Sequence, residues 1–288
     1  MAQNLADNDS RFVVLQNDGH GIVDALNTGL ARCRDGIVFR MDADDRMHPQ
    51  RLARQTVHLQ SVDISSSTVE PFGSMTEGRR QYFEWQNQVR SINDIYASRY
   101  IECPAQHPTL AFRTSTIERL GGYRTGPFPE DYDLILRALQ CGLTMEKLAE
   151  PLLQYRCSES QLSYADARYN RSAFHELRKF HLQRDASLLA ILAGRPLVIW
   201  GASRMSRRRM EDHFAGSEIV QRIGYFVDIR PGQQENSILD VRSPADLYSD
   251  DSHPFVLVYV NARGARPIIE SDLKRHGWTP GSDYLCIG

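Results

Sequence analysis

The sequence predicts an α/β protein built in two units, and three observations predict it. Near the start, short apolar runs alternate with stretches of helical periodicity, in the order strand, helix, strand. The apolar run Ile37-Val38-Phe39 leads into three carboxylates in four positions, Asp42, Asp44 and Asp45, on the turn before a helix. After Gly194-Arg195-Pro196, a Gly/Pro boundary signal, a second strand–turn–helix pattern begins.

Taken in order, residues 1–10 are polar and read as loose, and Arg11-Phe-Val-Val-Leu15 reads as a strand. Asn17 to Gly21 is a turn with two glycines, followed by a helix from Ile22 to Ala31. The strand carrying the acids comes next. Pro49 then opens a helix to about residue 60, with Leu52, Gln55 and Leu59 as its predicted inner face. Val62 to Val69 alternates like a strand, and residues 81–97 read as one helix with Tyr82, Trp85, Val89, Ile92 and Tyr96 on one side. Tyr82 and Trp85 read as core, with an acceptor platform as the alternative. His107 to Arg113 reads as a strand and Gly121-Gly122-Tyr123 as a turn. Glu130 opens a helix with Leu134, Leu136 and Leu139 turned to the core and Gly142 as its stop. Leu152 to Arg156 is a short strand. Residues 164–193 read as helices bridging two units, and the second unit follows as strands at 197–200, 223–228, 255–260 and 284–287, with helices between them. The predicted units are 1–163, a helical link 164–194, and 195–288.

The 288 residues suffice for two modest cores. Lys plus Arg (34) nearly balances Asp plus Glu (36), and no basic tail is present, so nucleic-acid binding is not expected. No apolar run approaches the roughly 18 residues of a membrane span, and the first residues lack a signal-peptide pattern. Five scattered cysteines without a CxxC give neither a zinc site nor a disulfide framework. A cytoplasmic location is therefore expected, with peripheral attachment at the inner membrane face left open.

Three acids so close repel one another unless something positive stands among them. A hard divalent cation, sharing oxygen ligands with a substrate diphosphate, meets that need at the strand end where ligands of open α/β sheets collect. A solvated acidic turn is the bland alternative. Glu130 and Asp131 suit the N-terminus of their helix electrostatically, and one of them could equally serve as a base in a cleft.

Several segments, taken together, resemble one family. ALNTGL (25–30), FRMDADDRMHPQRLARQ (39–55), HPTLAFR (107–113), GGYR (121–124), PEDYDLILRALQCG (129–142) and LLQYR (152–156) come in the order of the family 2 glycosyltransferases of the GT-A fold. The resemblance covers about residues 11–163. It implies a GT-A-like, Rossmann-like mixed sheet with flanking helices, and the tail resembles a small Rossmann-like α/β domain. It also implies an inverting, metal-dependent transfer from a UDP- or GDP-linked sugar to a glycan or lipid-linked acceptor. By that resemblance Asp44 and Asp45, with Asp42, hold Mn²⁺ or Mg²⁺, and Asp131, with Glu130 beside it, is the base. Asn27, Arg40, Asp42 and Arg156 contact substrate, Arg156 having a plain ion pair as its alternative.

Three departures accompany the resemblance. The family's opening IIPxYN strand and the strand ending near DDGSxD have no counterpart, so an unpaired sheet edge and self-association through it are expected. The second reading is accordingly a partner-dependent or impaired remnant acting in binding or assembly. Ser158 stands where many members have the His of YRxH. In the tail, GASRMS replaces GxGxxG, so Ser203 and Ser206 obstruct a pyrophosphate and NAD is not expected. A third reading gives the main function to a nucleotide bound by that tail, where Asp228 could meet a ribose, although a strand-end surface acid is favoured.

Overall fold

The computed structural model describes residues 2–33, 35–158, 161, 165–230 and 240–288. Ten strands are seen among them: β1 Ile37–Phe39, β2 Arg46–Met47, β3 Ile64–Gly73, β4 Ala111–Arg113, β5 Met145–Cys157, β6 Leu197–Trp200, β7 Ile223–Val227, β8 Val241–Arg242, β9 Phe255–Val258 and β10 Tyr284–Cys286. They form two five-stranded sheets, ordered β1-β4-β3-β5-β2 and β10-β9-β6-β7-β8. The first is mixed: β3 runs parallel to β5, while β4 is antiparallel to both β1 and β3, and β2 to β5. The second is wholly parallel, as its strand–helix alternation predicts.

Alternating strands and helices fall where the periodicity puts them. Leu134, Leu136 and Leu139 of the helix Glu130–Gln140 are buried, and Gly142 stops that helix at a positive φ of 74°. The strands of the parallel sheet read as unbroken apolar runs because both faces are covered.

Five expectations are corrected. Arg11 to Leu15 is not a strand: Phe12, Val13 and Val14 are exposed, and no strand among the described residues pairs with them. Residues 2–8, read as loose, form a helix with no buried residue. The helix Arg51–His58 turns Leu52 outward and buries Arg51, Gln55 and the following Leu59, so its inner face is largely polar. The span 81–97 is two helices, Glu77–Gln88 and Ile92–Ser98, split at Val89 because Ser91 and Asp94 form a capping box that starts the second one. The predicted strand at 107–113 opens instead with a 3₁₀ turn, His107–Thr109, and only Ala111–Arg113 pairs. Of the helical bridge, Arg171–Leu182 and Ala186–Gly194 are helices, while its first residue, Tyr164, lies outside the described residues. β1 and β2 are the two edges of the mixed sheet.

The two sheets share one buried cluster. Leu134 and Ile135 from beside the mixed sheet lie in it with Leu188, Leu197, Leu285 and Ile287. A buried ion pair adds to this junction: Arg99 meets Asp185 at 3.0 Å, Asp185 also accepts from the Tyr100 hydroxyl at 2.8 Å, and it caps the helix Ala186–Gly194 through the Leu188 amide.

Candidate functional site

The acid turn is fastened from across the sheet. β2 pairs with β5, which brings the bend at 42–45 against the end of β5. There the Arg156 amide donates to Asp45 Oδ1 at 2.7 Å, and Arg156 Nε donates to the Asp44 carbonyl at 2.9 Å. The Arg156 and Arg46 guanidiniums lie 4.7 and 4.9 Å from the Phe72 ring centroid, a cation–π clamp on the same strand ends. Arg51, fully buried, donates to the Arg40 carbonyl at 2.8 Å and to Gln55 at 2.8 Å, while Gln55 donates to the Thr109 carbonyl at 2.9 Å. This polar inner face of the helix Arg51–His58 secures the chain just before the acids.

A cavity of about 570 Å³ opens beside the turn. Asp42 and Asp44 line it, and so do Arg40, Glu130 and Asp131. The two acidic loci, some ninety residues apart in sequence, thus share one space. Arg40 pairs with Asp42 at 2.5 Å. Asp45 sits behind that wall, buried, and burial together with the charges of Asp42 and Asp44 raises its carboxyl to about 6 against the pull of the Arg156 amide. Asp45 Oδ2 is buried without a hydrogen-bond partner.

On the facing wall, Glu130 is buried and accepts from the Tyr169 hydroxyl at 2.7 Å, with Arg168 3.8 Å away. Asp131 is only partly covered and keeps one oxygen on the Tyr132 amide at 2.8 Å. Burial, and next the charge of Glu130, push its carboxyl up to about 7. Two adjacent acids therefore have different surroundings: Glu130 is tied to its neighbours and Asp131 faces the cavity. Their helix is anchored behind by Asp133, which accepts from Arg137 at 2.8 Å and lies 3.0 Å from His181.

The remaining predicted contacts divide. Arg40 faces the cavity. Asn27 is spent on structure, its amide exchanging two hydrogen bonds with the Tyr123 backbone at 2.9 and 3.0 Å. Arg156 serves the acid turn as described. Tyr82 lines the cavity, and its hydroxyl donates to the Cys103 carbonyl at 3.3 Å. Sequence reading passed over His107 as a site residue. It lines the cavity, shares a proton with the Tyr123 hydroxyl at 2.7 Å, and burial holds it well below the usual histidine range, hence neutral. It also passed over Arg51 and Tyr169, and over Arg79, which lines the cavity. Nothing local marks Arg51 or Tyr169. Ser158 borders the same cavity.

The donor set suits a hard divalent cation: an excess of carboxylate oxygens, and one buried oxygen of Asp45 without a partner. Asp42 and Asp44 are the acids of this turn that face the cavity, while Asp45 does not line it. The second unit offers no comparable cradle at its glycine turn. Ser203 and Ser206 bond each other at 2.9 Å, and Ser206 donates to the Tyr259 carbonyl at 3.0 Å.

Residues 1–120 match the family described as "Glycosyl transferase family 2". The first part of the chain is thus similar to family 2 glycosyltransferases. Among curated relatives, an amylovoran biosynthesis glycosyltransferase of Erwinia amylovora, AmsE, is 30% identical over 146 residues, 50% of this chain and 53% of that one. The O-antigen biosynthesis glycosyltransferase WbnJ of Escherichia coli is 31% identical over 165 residues, 56% of this chain and 63% of that one. A third, from Escherichia coli, is named UDP-Gal:alpha-D-GlcNAc-diphosphoundecaprenol beta-1,3-galactosyltransferase; it is 32% identical over 151 residues, 51% of this chain and 53% of that one. The chain thus spans between half and two thirds of the length of these relatives. Among solved structures, S. aureus TarS in complex with UDP-GlcNAc aligns over 68% of this chain and 53% of its own, at 11% identity and a TM-score of 0.40. The Pyrobaculum calidifontis mannosyltransferase PcManGT, in complex with GDP-Man and Mn²⁺, aligns over 66% and 61%, at 18% identity and a TM-score of 0.42. No helix among the described residues is long and apolar enough to cross a membrane.

Proposed function

We propose that the protein transfers a sugar from a nucleotide-sugar donor to a hydroxyl of a glycan or lipid-linked acceptor, with inversion at the anomeric carbon. One observation carries this reading: Asp42 and Asp44 open on the same cavity as Asp131. Asp44 and Asp42 would hold Mn²⁺ or Mg²⁺ with the donor diphosphate, with Asp45 as support behind them. The cation would neutralise charge on the departing nucleoside diphosphate. Arg40, also in the cavity, would add a second positive group near that charge. Asp131 takes the proton from the acceptor hydroxyl as its oxygen bonds to the anomeric carbon from the face opposite the leaving group. Single displacement of this kind inverts the centre. Glu130 stays tied to Tyr169 and keeps the Asp131 carboxyl basic by repulsion. The relatives named for amylovoran and O-antigen synthesis support an envelope polysaccharide as the product class.

Calorimetry with UDP and GDP, each with and without Mn²⁺, tests the donor half. Metal-dependent binding of one nucleotide, weakened at least about tenfold in Asp44→Asn, is expected. Equal binding with and without metal, or silence with both nucleotides, would overturn it and leave the partner-dependent remnant, paired through the β1 edge, as the better reading.

A further inference from the structure

A second cavity, of about 700 Å³, adjoins the first, and Tyr82, Glu102, Tyr169 and Phe174 line both. Its chemistry differs sharply. Four arginines face it, Arg171, Arg178, Arg209 and Arg266, against one carboxylate side chain, Glu102, among the described residues. Arg171 and Arg178 come from the helix Arg171–Leu182. Arg209 and Arg266 come from the helices Arg204–His213 and Ala265–Arg275 of the parallel-sheet unit.

Two of the arginines keep a buried donor without a partner among the described residues. Arg178 is 7% exposed and donates to the Ile101 carbonyl at 3.3 Å; its Nε is buried without a partner among the described residues. One terminal nitrogen of Arg209 is likewise buried and unpartnered, while the other donates to a backbone oxygen of Gly288, which also lines this cavity. Like charges gathered around buried, unsatisfied donors are costly unless an anion joins them. Guanidiniums in such a group match phosphate oxygens, two at a time. Beside them Tyr82 and Trp85 present tilted rings 6.0 Å apart, a surface suited to one face of a sugar.

We propose that this second cavity binds the phosphate-ester end of the acceptor. A diphosphate is held by Arg178, Arg209 and Arg266, and the attached sugar lies over Tyr82 and Trp85 toward Asp131. The proposal rests on the transferase reading and assigns its acceptor class. It also gives the parallel-sheet unit a task, since two of the three holding arginines belong to it. A triad of His175, Glu176 and Asp212 at the edge of this region is no rival cation site, because Lys179 already holds Asp212 at 2.7 Å.

The test is calorimetry on the full chain in EDTA, with octyl diphosphate, inorganic pyrophosphate and octyl glucoside as probes. Octyl diphosphate is expected to bind best, about tenfold or more weaker in Arg178→Gln and in Arg266→Gln, and unchanged in Asp44→Asn. Arg266 is half-exposed, so its variant guards against a folding artefact at Arg178. Unchanged affinity in both arginine variants overturns the site, as does loss of binding in Asp44→Asn. Pyrophosphate binding as tightly as the octyl ester overturns the acceptor assignment in favour of a free anion. The UDP–Mn²⁺ titration is independent: its failure sinks the transferase reading while the arginine result still decides this cavity.

Discussion

Asp131 offers the sharpest single test, because its surroundings set the pH at which it can accept a proton. Burial and the neighbouring Glu130 raise its carboxyl to about 7. A base is active when ionised. A carboxyl raised to about 7 is mostly protonated at pH 6, whereas an unperturbed aspartate would be more than about 99% ionised. The ratio kcat/KM, which follows ionisation of the free site, should therefore climb about tenfold from pH 6 to its plateau above pH 8. Glu130→Gln removes the like charge and should move that limb to lower pH. Asp131→Asn should cost about 10²- to 10⁴-fold in kcat and erase the limb. The assay is kcat/KM against pH from 5 to 9 for the three proteins. A flat profile down to pH 5, or an Asp131→Asn enzyme within tenfold of the parent, would refute the assignment of the base. The linkage sign is opposite for stability. A carboxyl raised in the fold favours the folded state at low pH, and this contribution is lost as pH climbs from about 4 through 7.

Other outcomes can be measured alongside. Arg51→Met should destabilise by about 2–4 kcal/mol in urea titration, because it strands the buried Arg40 carbonyl and the Gln55 amide oxygen; a loss under about 0.5 kcal/mol would mean the helix does not secure the acid turn. Asp185→Ala should cost about 3–5 kcal/mol, since it leaves the Arg99 guanidinium buried and unpaired at the junction of the two sheets. Tyr169→Phe should move the Asp131 limb upward in pH, because Glu130 loses its hydroxyl donor and its charge is less well dispersed; an unmoved limb would separate the two acids functionally. Sedimentation at micromolar concentration checks self-association through the edge strand β1, and a monomer at every concentration would count against it.

The sequence by itself determined the alternation of strands and helices, because burial on one face or on two writes itself into periodicity. The parallel sheet was legible as four apolar runs, and the helix at Glu130 as an acidic first turn, a leucine stripe and a glycine stop. The acids at 42–45 and 130–131 stood out because carboxylates at strand and helix ends are local features. Where local signals competed, the reading failed. Phe12 to Val14 had the composition of a strand but no partner, and a strand exists only as part of a ladder. The helix after Pro49 was read by its leucine, while the fold needed its arginine and glutamine inward to satisfy carbonyls that lie near in space and distant in sequence. Only the tertiary structure decided that both acid loci open on one cavity, that Glu130 is tied to Tyr169 while Asp131 is left facing inward, and that arginines from two units meet around a second space. Each of these depends on contacts between residues many tens of positions apart, which leave no periodic trace in a chain read one residue at a time.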